Sequence, residues 1–470
     1  MTSKKKTTLA VIAGSVLGFI GILIGTSLTV TFPVLIRQFQ LPLYIIQWLS
    51  SGYYLCATLI MSCTSSIMKS FSLKKIFITS TCLFLCGMII SFLSKNFIML
   101  LLGCFIDAIA TGLATPLMYQ IVFATVNQNQ FGKYNGIVTM IKSFGPAFGP
   151  TYGGILTSLF SWRLIFICVI PLLIIAFFIG IYSIPNNIKS NSKSFYKTFN
   201  FMGMILFSGL LITFSIFINQ LGTKNSNCII LTCLASLILL FIFIRNNRTS
   251  TKEFLNFTIL KNKIIKKRAL NFFSLQFINL SIAFLLPIYC EEILHFTPLI
   301  AGLLTFPGAL IGALISPLTG KYYDKYGAKK TLILSSLFIT ISISLFFGLY
   351  PKLNPATIII LYIIFRIGYS LGFGNLMADA GKHIRQDSRS TLSALFNTFQ
   401  QYSGSVGNNL MASIISILSA YNFSKIQALK FGGKICFALL TLIAVLLLAI
   451  IIMEKEHKHG KRVFYTNNKK

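Results

Sequence analysis

"IKSFGPAFGPTYGG", residues 141–154, places one lysine, two prolines and four glycines in a segment whose flanks are as apolar as a core helix. Gly145, Gly149 and Gly153 recur every four residues, and Pro146, Pro150 and Gly154 form a second row beside them. A glycine row on a helix lets another backbone approach closely, because no side chain holds it away. Prolines free backbone carbonyls and bend the helix, which is tolerated where neighbouring groups satisfy them. The stretch reads as a bent, tightly packed helix, and its surroundings decide what kind of protein holds it.

Those surroundings are membrane-like. Of 470 residues 55% are hydrophobic and 11% charged, with a mean hydropathy of +0.79, which a soluble domain of this length rarely shows. Apolar runs such as "TLAVIAGSVLGFIGILIGTSLTV" (8–30), "IFITSTCLFLCGMIISFLS" (76–94) and "ICFALLTLIAVLLLAIIIM" (435–453) recur along the chain. Each is long enough to cross about 30 Å of hydrocarbon as a helix. Counting such runs predicts an all-α integral membrane protein with fourteen spans. "MTSKKK" at the start resembles a signal-peptide leader, but the run behind it is too long and lacks a cleavage pattern, so it reads as an uncleaved first span.

The formal charge of +32 would suggest nucleic acid if the basic residues formed one stripe. They do not: roughly 31 of the 41 Lys and Arg fall at the two ends and in alternate loops, the pattern of cytoplasmic loops and of both termini cytoplasmic. Membrane lipid, not nucleic acid, is the expected partner of tracts such as Arg245 to Arg268. The ten cysteines stand singly in apolar spans without metal-ligand spacing and read as small core hydrophobes, so no metal is expected.

The long charged interruption at 245–268 separates spans 8 and 9, and an internal repeat appears once the halves are overlaid. "GCFIDAIATGLATPLM" (103–118) aligns with "LYIIFRIGYSLGFGNLM" (361–377), setting Asp107 on Arg366. "KSFGPAFG" (142–149) aligns with "QQYSGSVG" (400–407), setting Lys142 on Gln400 and Gly149 on Gly407. The expected organisation is a six-helix bundle over 1–187, two inserted spans and a basic linker over 188–268, a second six-helix bundle over 269–453 and a basic cytoplasmic tail from 454.

Three ionisable residues fall at membrane depth: Asp107, Lys142 and Arg366. Each would cost about 2.5–3.5 kcal/mol if left facing lipid, so each is expected to face the protein interior. A pairing of Asp107 with Lys142 or Arg366 that breaks when substrate or a proton arrives would couple the two; a fixed ion pair, or Lys142 snorkelling to the membrane surface, would be structural instead. Glu291 and Glu292, near His295, sit where span 9 meets the outer face, as a solvated helix end or a further protonation site. Asp379 reads as a helix-end charge. Tyr53, Tyr119, Phe148, Tyr152, Phe396, Asn397, Gln400 and Tyr402 are cavity candidates, able to hold a planar amphipathic ligand by stacking and hydrogen bonds or simply to pack.

"GPAFGPTYGG" followed by "SWRLIFICVIP" (161–171) resembles the span 5 antiporter signature of the major facilitator superfamily, in its fourteen-span drug:proton antiporter branch. "TGKYYDKYGAKK" (319–330) resembles that family's Gly-x-x-x-Asp-(Arg/Lys)-x-Gly-x-(Arg/Lys)-(Arg/Lys) loop, "FLLPIYCEEILHFTPLIAGLLTFPG" (284–308) its ninth and tenth spans, and "QWLSSGYYL" (47–55) its second. The resemblance implies a major facilitator fold, two six-helix bundles plus two inserted spans, and a monomeric bacterial cell-membrane exporter of hydrophobic or cationic drugs or toxic metabolites. It implies alternating access driven by the proton gradient, with protons as the counter-substrate and no cofactor. Gly145, Pro146, Gly149, Pro150, Gly153 and Gly154 would form the bend that packs the bundles. Gly320, Asp324, Lys325, Gly327 and Lys329 would latch the cytoplasmic helix ends.

The sequence also departs from that family. Lys69 in "SSIMKSFSLKK" (65–75) stands where the family has aspartate, Gly25 in "IGTSLTVTFP" (24–33) where it commonly has an acid, and Cys104 where it has arginine. These departures favour an exporter of a lipid, peptide-like or anionic metabolite without standard proton coupling; a non-transporting membrane sensor or assembly factor is a further reading, one that predicts loss of the bend and latch motifs, which are intact here. No phosphate loop and no catalytic constellation appears, so an enzyme is not expected.

Overall fold

The computed structural model describes residues 3–126, 131–186, 199–222, 226–250, 254, 257–350, 352–384, 389–420 and 423–454. The expected tail beyond Glu454, and residues 251–253 and 255–256 of the expected linker between the second inserted span and the second bundle, lie outside these residues. Long helices dominate. In the first half they are α1 (Ser3–Ser27), α2 (Trp48–Ser70), α3 (Leu73–Phe92), α4 (Phe97–Thr125), α5 (Phe131–Leu159) and α6 (Ile170–Ser183). The inserted pair is α7 (Phe201–Gln220) and α8 (Ser226–Thr249). The second half holds α9 (Lys263–Glu292), α10 (Pro298–Leu349), α11 (Pro355–Lys382), α12 (Arg389–Ala420) and α13 (Lys425–Ile452).

The helices begin where short polar side chains can cap them. Ser72 accepts from the Lys75 amide at 3.4 Å and Asn96 from the Met99 amide at 2.8 Å, while Asn354 and Ser424 form reciprocal capping boxes. Helix α10 is two arms. At Gly327 the backbone takes φ 81° and ψ 172°, a conformation glycine adopts without a Cβ clash, and the chain turns back as a second arm.

Among the described residues eleven helical segments are long and apolar enough to cross a membrane, α10 counted once. Helices α5 and α12 fall outside that set because glycine, serine and amide side chains dilute their hydropathy. Those same residues face protein: Gly145, Gly149, Gly153, Ser403, Gly407, Asn408 and Asn409 are all buried. By contrast α8 carries Leu231, Leu237, Ile238 and Phe241 exposed, as a helix on the lipid-facing rim would.

In the first half α1 packs on α4, α5 and α6, and α3 packs on α4. The second half repeats this, with α9 on α11, α12 and α13 and the two arms of α10 on α11 and α13. The halves meet along two seams, α5 with α10 and α2 with α12. Helices α7 and α8 pair with each other and close the side of the second seam, where Leu206, Phe207 and Phe243 join Leu55, Cys63 and Leu395 in one apolar cluster.

Candidate functional site: a central cavity between the halves

The two glycine rows of α5 have different jobs. The first faces α1: a Cβ on Gly145 would lie 2.7 Å from Ile22 Cγ2, one on Gly149 would overlap Thr26 Oγ1, and one on Gly153 would lie 2.5 Å from the Ser27 carbonyl. Hydroxyls stitch this contact, Ser27 Oγ donating to the Gly149 carbonyl at 2.9 Å and Thr26 Oγ1 to the Gly145 carbonyl at 3.4 Å. The second row faces the other half. Gly154 lies against the Pro298 carbonyl, and Gly302 of α10 would place a Cβ 2.5 Å from the Pro150 carbonyl. Thr151 Oγ1 donates to the Gly302 carbonyl at 3.2 Å, the Leu299 amide donates to Ser158 Oγ at 2.9 Å, and the Phe148 and Phe306 rings meet at 5.5 Å. The expected inter-bundle bend is therefore the second row with Phe148; the first row is internal packing of the first half.

The α2–α12 seam closes at the same end of the molecule, away from the N-terminus. Gln47 Nε2 donates to Asn409 Oδ1 at 2.6 Å and Asn408 Nδ2 to Ser50 Oγ at 2.5 Å. Phe32 and Phe284 meet edge-on at 5.8 Å nearby.

Below this closed end lies a cavity lined from both halves. Its first-half wall includes Gly25, Tyr53, Tyr54, Thr111, Pro146 and Pro150; its second-half wall includes Asn279, Thr305, Tyr362, Arg366, Tyr369 and Gln400. Tyr53 Oη bonds to Thr111 Oγ1 at 2.5 Å and donates to the Gly21 carbonyl at 2.8 Å, which fixes its ring against Gly25. At position 25, then, an aromatic ring fills the space that an acidic side chain would enter. The Arg366 guanidinium stacks 4.8 Å from the Tyr369 ring and donates from Nη1 to Asn279 Oδ1 at 3.1 Å.

Lys142 Nζ donates to Gln400 Oε1 at 3.3 Å and lies 6.0 Å from the Tyr119 ring and 5.9 Å from the Phe373 ring. Lys142 and Gln400 are the two residues the sequence repeat superimposes, and equivalent positions meet where a two-fold axis passes. Lys142 is buried, which rules out snorkelling in this conformation.

Asp107 overturns the expected pairing. No cation lies within 4.0 Å of it; among the described residues the ion pairs are those of Arg268. It is fully buried and turned into the first half, where its carboxylate occupies the space that Gly87 of α3 leaves, and neither oxygen has a hydrogen-bond partner. Helical periodicity placed Asp107 at the right depth but could not say which neighbouring helix offered room. Cys104, one turn earlier, is also buried. Glu291 corrects a second expectation: it is not at a solvated end but buried, with both carboxylate oxygens unpartnered. Glu292, next to it, is less enclosed.

Several cavity candidates belong to the packing instead. Phe396 is in the second-half core, 4.8 Å from the Phe272 ring; Tyr152 Oη donates to the Ile165 carbonyl at 2.9 Å; Tyr402 packs toward the inserted pair. Asn397 is buried off the cavity lining. Asn279, Tyr54, Tyr362 and Tyr369 were missed; the polar trio Asn271, Gln276 and Asn279 in an otherwise apolar span was the available signal.

The expected latch residues lie at and around the turn between the two arms of α10. Asp324 and Lys325 are exposed and, among the described residues, form no ion pair, although Lys325 Nζ lies 5.1 Å from the Tyr326 ring; Gly320, Gly327 and Lys329 line the same turn. A buried cluster stands beside it: Arg268 Nε donates to Asp379 Oδ2 and its Nη1 to Glu454 Oε2, both at 2.6 Å, and Tyr323 Oη donates to Asp379 Oδ1 at 2.9 Å. Asp379 is thus more than a helix-end charge. The Lys69 side chain lies outside the described residues.

Two helical halves around a shared cavity, with a proline-glycine seam on one side, are an architecture that sequence comparison can identify. The profile described as Major Facilitator Superfamily matches residues 14–408. The chain belongs to the major facilitator superfamily. It is 25% identical over 399 residues to the lincomycin resistance protein LmrB of Bacillus subtilis, covering 85% of this chain and 83% of that one. It is 25% identical over 455 residues to the riboflavin transporter RibZ of Clostridioides difficile, covering 94% and 96%. The fold of this superfamily member matches a crystal structure of a D-xylose-proton symporter with a TM-score of 0.70 at 12% identity, over 98% of this chain and all of that one. The protein is a multi-pass membrane transporter whose relatives include drug-resistance proteins.

Proposed function

We propose that this transporter exports amphipathic organic molecules, drugs or toxic metabolites, across the bacterial cell membrane by alternating access, driven by proton entry. The observation that carries this reading is a cavity with aromatic walls shared by both halves and sealed at one end by close backbone packing and neutral hydrogen bonds. Such contacts separate without stranding a charge, as a seal that opens in every cycle must. The relatives' named roles, resistance to lincomycin and transport of riboflavin, support an organic cargo.

In this reading α10 supplies two spans and α5 and α12 one each, giving fourteen, in bundles over 1–187 and 269–453 with the inserted pair between them. Both termini are cytoplasmic, so the closed end is external and the state is inward-facing. One chain completes the cavity and acts as a monomer.

Asp107 and Glu291 are the enclosed carboxyls through which proton coupling would run, and Glu292 follows at the closed end, where α9 stops. The test is accumulation of an amphipathic dye in everted vesicles with and without a pH gradient. Export is expected to collapse with the gradient, and Asp107→Asn is expected to make residual transport gradient-independent. Unchanged proton dependence in Asp107→Asn would remove Asp107 from the coupling, and export indifferent to the gradient in the wild type would remove the coupling itself.

A further inference from the structure

The charge of the cavity follows from where each ionisable group ended up. Among the described residues its wall contains one guanidinium and no carboxylate. Lys142 adds a second cation beside the Gln400 end of that wall. Asp107, the repeat partner of Arg366, lies behind Tyr53 and Thr111 and offers no oxygen to the space: Thr111 Oγ1 donates to its backbone carbonyl at 2.9 Å, and its carboxylate points to Gly87. Among the described residues no carboxylate pairs with Arg366.

Arg366 is also under-used. A guanidinium carries five N–H donors, and among the described residues this one makes a single side-chain hydrogen bond, to Asn279. Its Nε is buried without a partner, and the side chain is 4% exposed. Leaving a buried charged donor unsatisfied costs more than leaving a neutral one. Tyr369 orients the fork by stacking, and the Tyr369 hydroxyl is itself held by Gln276 Oε1 at 3.3 Å. A held, unsatisfied guanidinium facing an aromatic chamber is built to receive a planar oxyanion, which takes two parallel N–H bonds at once.

We propose that the central cavity selects amphipathic anions, organic molecules with an aromatic or other apolar body and one carboxylate or comparable oxyanion group, and that Arg366 is the residue that binds the anionic group. Tyr53, Tyr54 and Tyr362 receive the body, and Lys142 adds attraction from the seam. The inference rests on the exporter reading above and names its substrate class.

The test uses three probes of one shape: anthracene-9-carboxylate, anthracene-9-carboxamide and 9-(aminomethyl)anthracene. Each is measured for accumulation in everted vesicles and for fluorescence-detected binding to the purified full-length protein. The carboxylate is expected to bind and move at least about tenfold better than the amine, the amide falling between, as a charge-assisted hydrogen bond of about 1.5–3 kcal/mol implies. Arg366→Gln is expected to remove that preference, and Arg366→Lys to retain part of it. Asn279→Asp, which places an acid beside Arg366, is expected to abolish the preference while the size-exclusion profile and thermal unfolding stay those of the wild type. An amine favoured over the carboxylate, or a carboxylate preference intact in both Arg366→Gln and Asn279→Asp, overturns the anion site and leaves the exporter standing. Binding of the carboxylate without movement of any probe under either gradient upholds the site and overturns export. Neither binding nor movement of any of the three overturns both.

Discussion

The two ends of the molecule are held together by different physics. At the end away from the N-terminus the halves touch backbone to backbone, Gly154 on Pro298 and Gly302 on Pro150, with neutral amides Gln47, Asn408 and Asn409 completing the seal. At the end near the N-terminus the strongest contacts are charged, Arg268 with Asp379 and Glu454, and all of them lie within the second half. On that side the hydrogen bond between the halves, among the described residues, is Lys142 to Gln400. The ion pairs described here tie helices within one half, whereas close neutral packing joins the two halves, and in the proposed cycle that joint is the part that opens. A buried ion pair is costly to break but uninvolved in the joint, whereas a glycine seam is weak per contact and depends on shape.

Breaking the charged cluster is expected to have the largest effect on stability. Arg268→Ala leaves Asp379 and Glu454 enclosed without their cation and should cost about 3–5 kcal/mol, read as a lowered thermal unfolding midpoint in detergent. Substrate preference should not change. A loss below about 1 kcal/mol would mean that water already reaches the cluster.

Disturbing the glycine seam should do the reverse. Gly302→Ala sets a methyl 2.5 Å from the Pro150 carbonyl, a backbone atom that cannot rotate away, at a cost of about 1–3 kcal/mol falling on the closed state alone. The expected outcome is about a tenfold loss of export with nearly unchanged unfolding, together with faster thiol labelling of a cysteine placed at Ser158. Gly145→Ala sets its methyl 2.7 Å from Ile22 Cγ2 and 2.9 Å from Ile22 Cβ, inside the first half, and should cost stability without favouring either state of the seam.

A double replacement sharpens the same comparison from the other side. With Gln47→Leu and Asn409→Leu both amides leave together, so no orphan remains at that pair, and Gln47 Oε1 and Asn409 Nδ2, already unpartnered, disappear with them. Such paired removal is near neutral or stabilising. The closed end should tighten and turnover should fall about two- to fivefold, measured as initial export rate, with the midpoint held or raised.

Lys142→Met is the smallest expected change in the fold. It removes one 3.3 Å hydrogen bond and two weak cation–π contacts, roughly 0.5–1.5 kcal/mol in all. Unfolding should shift little, while carboxylate binding should weaken about threefold.

Much of this architecture was readable in the residues. The four-residue glycine and proline rows of 145–154 announced two close-packing faces, and the repeat that set Lys142 on Gln400 anticipated a contact that a pseudo-two-fold axis produces. Gly327 was readable as a required glycine within its loop motif. Other features depended on which helix lay alongside. Asp107 and Arg366 occupy repeat-equivalent places, yet one turns into its own half because Gly87 leaves room, and the other faces the cavity because Tyr369 and Asn279 hold it there. Period alone reports depth and face, not the neighbour. The Arg268–Asp379–Glu454 cluster joins residues up to 186 positions apart, a distance over which no local pattern speaks.

Reciprocity between the two ends is the central claim, and paired distance measurements test it most directly. In a chain whose cysteines are replaced, spin labels at Phe160 and Ile300 report the closed end, and labels at Lys75 and Lys325 report the end near the termini; all four side chains are exposed. Electron–electron resonance distances are recorded at high and low pH, with and without anthracene-9-carboxylate. The account predicts two populations in which one pair separates as the other approaches, with Gly302→Ala favouring the state where Phe160 and Ile300 are apart. A single fixed distance at both ends under all conditions, or both pairs widening together, would contradict it.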